Sequence, residues 1–430
     1  MISIREFDEK YGRQVLIGAV LLIWGAILWS ILANGYLETW YRWGIPAKLP
    51  PFVDFRLIPG SAETFRAGID PAVSNPNDPR GRIFNYPKIW YLLFYTGISQ
   101  DDTIWICIVL LVLFFLIVCA FPERMRVRDA LMTLGIVFSP ACVLLYERGN
   151  VDLIIFILCG LVILSLGRSP GFAASILSFG AFLKFFPFFG ATVFFDDNKS
   201  KFYKMFVAST IALAIYLAFS FDSVMTAWSL TERGTFISYG VYVVFDLLHA
   251  YLQYYLIRIL SEAQLQTAMN LLPHLISGML LAGLSIPAAK ERGAFNVSSQ
   301  RNLAAFRMGA SIYVGTFLLG NNWNYRLAFL IFAVPQLAQW FFTVPSKNRW
   351  LFLGILIALF VSCWESMIIQ FWLGLFDGEF MLQLSIFDEI MNWLLFAGLA
   401  YLLIASAPAW FRTLSWNPFG RETLANVIAT

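Results

Sequence analysis

Four stretches of this sequence carry side chains that could take a proton or hold an anion, and each borders an apolar run. The first is Asp54 in the segment PFVDFRLI, residues 51–58. A carboxylate in such apolar company is a candidate general base, able to take the proton of a hydroxyl. The bland alternative is a helix N-cap or a surface carboxylate, since Asp is a favoured capping residue. The second stretch is the turn Tyr146-Glu147-Arg148-Gly149-Asn150-Val151-Asp152 between two apolar runs. Charge at such a boundary is costly unless it faces a cavity or a partner. Arg148 could hold a phosphate, because its planar fork donates two hydrogen bonds at once, or could simply pair with Glu147 or Asp152.

The third is Lys184, in Lys184-Phe185-Phe186-Pro187. An ammonium inside an apolar stretch is expensive and often marks a substrate pathway, although a lysine can also snorkel to the interface. The fourth is the polar turn Asn321-Asn322-Trp323-Asn324-Tyr325-Arg326, where Arg326 is either a second anion ligand or an aromatic-and-Arg interface anchor. Between the first and second stretches, residues 60–82 are rich in turn formers, with Glu63 a secondary carboxylate, and Asn85-Tyr86-Pro87-Lys88-Ile89-Trp90 follows.

Other chemistries lack their residues. His249 and His274 have no partners at metal-ligand spacing, and there is no nucleophile elbow or phosphate-cradling glycine loop. Asp101-Asp102 and Asp196-Asp197 read as solvated helix caps in preference to metal ligands. The cysteines, Cys107, Cys119, Cys142, Cys159 and Cys363, all lie inside apolar runs, so neither a disulfide nor a metal centre is expected.

The elements that must position these residues follow from composition. The chain is 59% hydrophobic and 13% charged, against about half and about a quarter in soluble domains. It is expected to be an all-α, polytopic transmembrane bundle of about ten to twelve segments, one domain over residues 1–430 surrounded by membrane lipids. A net charge of +3 without a basic tail gives no support for nucleic-acid binding. Residues 14–34 are longer than a signal-peptide h-region and are read as an uncleaved first span.

Lys and Arg in short connections set the expected orientation. Arg5, Lys10 and Arg13 place the amino terminus in the cytoplasm. The connections with Arg124, Arg126 and Arg128, with Arg168, with Lys199, Lys201 and Lys204, with Lys290, Arg292 and Arg301, and with Lys347 and Arg349 follow suit, as does the tail with Arg412 and Arg421. The loop 35–103 is then extracytoplasmic, and long enough to cross regardless of its own charge. Alternation also requires residues 171–195 to enter and return as a broken hairpin, Gly171–Leu183 and Phe188–Phe195, with Lys184 at the turn. Residues 236–257, with Asp246 and His249, together with Arg258, are expected to lie at the outer interface. Asp54, Arg148, Lys184 and Arg326 thus fall on one face.

In order and placement these motifs resemble the C-type integral membrane glycosyltransferases, closest to the polyprenyl-phosphate-mannose-dependent mannosyltransferases of family 87. The resemblance covers roughly residues 50–340 and rests on Asp54-Phe55, the Ala67 to Pro71 stretch, Tyr86-Pro87, Gly149-Asn150-Val151-Asp152-Leu153, Lys184-Phe185-Phe186-Pro187, and Tyr325-Arg326 with Pro335. Lys88 stands where the family commonly has a second proline, and Glu147-Arg148 replaces a more neutral approach to Gly149.

The resemblance implies transfer of a sugar, mannose or another hexose, from a polyprenyl-phosphate donor to a lipid or glycan acceptor on the extracytoplasmic face of a bacterial inner membrane, without a cofactor. It implies Asp54 as base, with Lys184, Arg148, Arg326, Glu147, Tyr86 and Asn150 around the donor phosphate or the acceptor. The rival expectations are a transporter or flippase of lipid-linked sugars and a non-enzymatic envelope subunit. No internal repeat of the transporter kind is visible.

Overall fold

A computed structural model describes residues 4–230, 234, 236–256, 261–291, 299–375 and 381–416. Among these the chain is helical almost throughout, and the strands are a two-residue antiparallel pair, Ser238–Tyr239 with Asn322–Trp323. Among the described residues, six helices are long and apolar enough to cross a membrane: Lys10–Asn34, Gln100–Ala120, Lys199–Leu230, Glu262–Lys290, Arg349–Leu375 and Met381–Ala405. Two bent pairs, Val127–Val137 with Pro140–Arg148 and Asn324–Phe332 with Val334–Thr343, raise the number to eight if each is one span. The chain is a multi-pass integral membrane protein. Lipid-facing residues such as Leu22, Leu32 and Phe219 stay exposed, as a bundle immersed in hydrocarbon requires.

The expected ten to twelve segments included three helices that fall outside this set. Asp152–Ser165 and Pro170–Leu183 have 14 residues each, about 21 Å of helix against a core about 30 Å thick. Gln300–Leu319 carries Arg307 near its middle. The short helices are bounded by the polar turn before Asp152 and the break at Lys184, which hold candidate residues.

Each interruption has a local cause. Val137 and Pro140–Arg148 are separated by Phe138 and Ser139, where Ser139 caps the Cys142 amide and Pro140 occupies the first helical position. The first half of the hairpin, Pro170–Leu183, ends on an extended Lys184 (φ −149°, ψ 132°), and Phe186–Phe194 returns as a 3-10 helix opened by Pro187. Asn324–Ala333 is a second 3-10 run, ended by a helix with Pro335 in its first turn.

Gln300–Leu319 is the central post, buried over most of its length. It presents glycine to the 3-10 runs Phe186–Phe194 and Asn324–Ala333. A Cβ on Gly315 would meet the Phe189 ring at 2.2 Å, and one on Gly309 would meet the Phe329 carbonyl oxygen at 2.5 Å. Small residues allow this close approach where water drives nothing together.

Polar contacts bring several basic connections to one end. Arg13 donates to the Pro122 carbonyl, the Arg128 amide to Asp8, Ser299 to Glu123, Trp410 to the Asp196 carbonyl and Arg412 to that of Glu291, while Arg128 lies over Phe342. Arg258, Arg292 and Arg421, and the side chains of Arg5 and Lys347, lie outside the described residues. The stretch expected at the interface contains the helix Val243–Leu256.

Candidate active site

The long loop 35–103 is pinned to the turn after Arg148 by its backbone. The Phe52 amide donates to the Glu147 carbonyl at 3.2 Å and the Asp54 amide to that of Arg148 at 2.9 Å. Gly149 makes this docking possible. It closes the helix Pro140–Arg148 in the left-handed conformation (φ 58°), and a Cβ there would stand 2.9 Å from both Phe52 Cβ and Cys107 Sγ. Trp90 ties the far end of the loop to the hairpin break by donating to the Leu183 carbonyl at 3.1 Å.

These constraints gather a continuous set of polar side chains. Asp54 accepts from Asn150 Nδ2 through Oδ2 at 2.9 Å and from Arg82 Nη1 through Oδ1 at 3.2 Å. Asn150 Oδ1 in turn accepts from Lys184 Nζ at 3.4 Å and from the Asp152 amide at 3.1 Å. Asp152, in the first turn of its helix, takes Lys184 Nζ on Oδ1 at 2.6 Å and Arg326 Nε on Oδ2 at 3.2 Å. Arg326 also donates to Asn322. The Asp152 side chain is wholly enclosed, whereas those of Asp54, Lys184 and Arg326 keep 23%, 13% and 18% of their surface, enough to meet a ligand.

Aromatic rings flank the cations. Lys184 Nζ lies 5.5 Å from the Tyr86 ring centre and the Arg326 guanidinium 4.9 Å from that of Phe186, both within cation–π range. Burial, with Asp54 and Asp152 adding to it, pushes the Tyr86 hydroxyl well above its ordinary value, so it stays a neutral donor.

Of the residues singled out in the sequence, the structure joins Asp54, Asn150, Lys184, Arg326 and Tyr86. The backbones of Arg148 and Glu147 hold the Asp54 segment, but their side chains bond elsewhere. The Arg148 guanidinium is taken by Glu147 at 3.1 Å and by the Pro46 carbonyl at 2.7 Å. Glu147 also accepts from the Lys48 amide at 2.8 Å and from Tyr36 at 3.2 Å. This buried pair fastens the start of the loop, and the bland reading of Arg148 is the one the geometry matches. Glu63 accepts from the Gln100 amide at 2.8 Å and serves the loop's own structure.

Asp102 caps Ser99 at 2.8 Å, and Asp196 pairs with Lys201 at 2.6 Å, whose hydrogen bond holds the Asp196 carboxyl below its ordinary range. His274 meets the Tyr242 hydroxyl at 2.5 Å. Among the described residues, no group of three His, Cys, Asp or Glu side chains is arranged to hold a metal.

Sequence reasoning missed Arg82 and Asp78 and gave Asp152 no role beyond pairing with Arg148. Arg82 was one of the loop's seven basic residues, and no spacing distinguished it. A second buried polar set was also missed. Asn392 donates to Asp388 at 2.9 Å and to Glu389 at 3.1 Å, and Asn324, next to Tyr325-Arg326, donates to Glu365. Three acidic residues inside apolar helices were a legible signal for it.

Compared with family models, curated proteins and solved structures, the chain matches none.

Proposed function

We propose that the chain is a membrane glycosyltransferase that moves a hexose from a polyprenyl-phosphate donor to a lipid-linked or envelope-glycan acceptor on the extracytoplasmic face of a bacterial inner membrane. The observation that carries this reading is the link through Asn150, which places a partly exposed carboxylate, Asp54, beside a lysine and an arginine that share one counter-ion.

The chemistry divides between the two halves of the cluster. Asp54 takes the proton of the acceptor hydroxyl as its oxygen attacks the anomeric carbon from the face opposite the phosphate. The bond from that carbon to the phosphate oxygen breaks, and the phosphate leaves with the electron pair. A phosphate is already a good leaving group, so one base suffices and no general acid is required. Lys184 and Arg326 against Asp152 leave one net positive charge, which suits a single phosphodiester and the charge that grows on it in the transition state. Tyr86 and Phe186 supply the apolar walls along which a sugar ring or lipid stem can lie.

A second reading, a transporter or flippase of lipid-linked sugars, draws support from the broken helices and the buried carboxylates Glu365, Asp388 and Glu389. Transfer of radiolabelled sugar from polyprenyl-phosphate donors to membrane extracts, wild type against Asp54→Asn at matched expression, separates the two. Transfer lost in the variant supports the enzyme. Transfer by neither protein across several donors favours the transporter.

A further inference from the structure

We propose that Arg82 is a positioning residue that fixes the plane of the Asp54 carboxylate, and that Asp78 aims it. The inference rests on the reading of Asp54 as the base.

The Arg82 guanidinium is held by three groups. Nε and Nη2 donate to Asp78 Oδ2 and Oδ1 at 3.1 and 2.9 Å, a fork-on-fork pair, and Nη2 also donates to the Val53 carbonyl at 2.5 Å. Asp78 is itself held on several sides. Its side chain is fully enclosed and accepts from the Arg80 and Arg82 amides at 3.1 and 2.9 Å. With Nε and Nη2 committed, Nη1 is left facing Asp54 Oδ1. Burial opposes the charge on Arg82, but Asp78 and Asp54 outweigh it and raise its pKa, so the group is always a cation.

Asn150 supplies the opposite donor, on Oδ2. One donor on each oxygen stops the carboxylate from rotating, yet each oxygen keeps a lone pair for an incoming proton. Nothing in this arrangement requires Arg82 to touch a substrate. Its expected contribution is the orientation of the base, where a misplacement of about 1 Å costs about 10²-fold in rate.

The test is steady-state transfer by the purified full chain in proteoliposomes, with a polyprenyl-phosphate hexose as donor. Arg82→Ala is expected to lower kcat by about 10²-fold with the donor KM changed less than about twofold. Arg82→Lys, which keeps the charge but cannot grip Asp78 and Asp54 together, is expected to recover about tenfold of that loss. On the Asp54→Asn background, Arg82→Ala is expected to cost nothing further, because a group acting only through Asp54 has nothing left to orient. If the alanine variant does not fold, Arg82→Lys carries the test, and a wild-type kcat in it overturns the inference. An undiminished kcat in Arg82→Ala, or a full additional loss in the double variant, also overturns it while leaving Asp54 as base. Undiminished transfer by Asp54→Asn overturns the base reading and this inference with it.

Discussion

Lys184 and Asp152 form a 2.6 Å ion pair whose carboxylate is completely enclosed, and the other oxygen of that carboxylate holds Arg326 at 3.2 Å. The two cations come from segments more than 140 residues apart, one from a hairpin break and one from a 3-10 run. Asp152 therefore fixes how far apart they stand and offsets part of their mutual repulsion.

Asp152→Ala removes the shared partner and strands both cations. Breaking a buried pair from one side costs about 3–5 kcal/mol. Thermal unfolding in detergent should show a large fall in midpoint, and an unchanged midpoint would mean that the pair contributes little to the fold.

Lys184→Met and Arg326→Gln each remove one of the charges that the proposed function assigns to the donor phosphate. The donor KM should rise in both, and kcat should fall where the charge acts mainly in the transition state. A charge-assisted hydrogen bond is worth about 1.5–3 kcal/mol, which corresponds to roughly 10- to 150-fold in kcat/KM. Wild-type kinetics in both variants would sink the phosphate assignment.

Arg148→Gln addresses the residue that the geometry sets apart. It leaves Glu147 buried without its ion partner, so the stability loss should resemble that of Asp152→Ala. The donor KM of the protein that does fold should move much less than in Lys184→Met. A larger KM effect at Arg148 would return it to the phosphate site.

Gly149→Ala tests the docking of the loop. The left-handed backbone costs an L-residue about 1–2 kcal/mol, and the new methyl would press on Phe52, two residues before Asp54. Activity should fall further than the unfolding midpoint suggests, because the base moves with the loop. Normal kinetics together with a lowered midpoint would show that Asp54 is held independently of the Gly149 turn.

Glu365→Gln and Glu365→Leu separate shape from charge in the second polar set. Glutamine can still accept from Asn324 and should be tolerated, whereas leucine leaves a buried amide without a partner, a penalty of about 1–3 kcal/mol. Because Asn324 opens the 3-10 run that carries Arg326, the leucine variant should also lose transfer. A damaging glutamine beside a harmless leucine would point to the charge of Glu365 itself.

The sequence by itself determined the helical membrane character, because apolar length is a local property that the solvent reads residue by residue. It located the break at Lys184, since an ammonium followed by Phe-Phe-Pro can neither stay in hydrocarbon nor continue a helix. It also singled out Asp54, Asn150, Lys184 and Arg326, through the cost of polar groups among apolar neighbours. Which of these meet was decided only in three dimensions. Arg148 and Asp152 stand four residues apart, and sequence left Arg148 free to pair with Glu147, with Asp152 or with a phosphate. The left-handed turn at Gly149 sends Arg148 toward Pro46 and Glu147, and Asp152 toward Lys184 and Arg326. Arg82 reaches Asp54 because the loop folds back over 28 residues, and that closure depends on packing spread along the whole loop, which no single motif encodes.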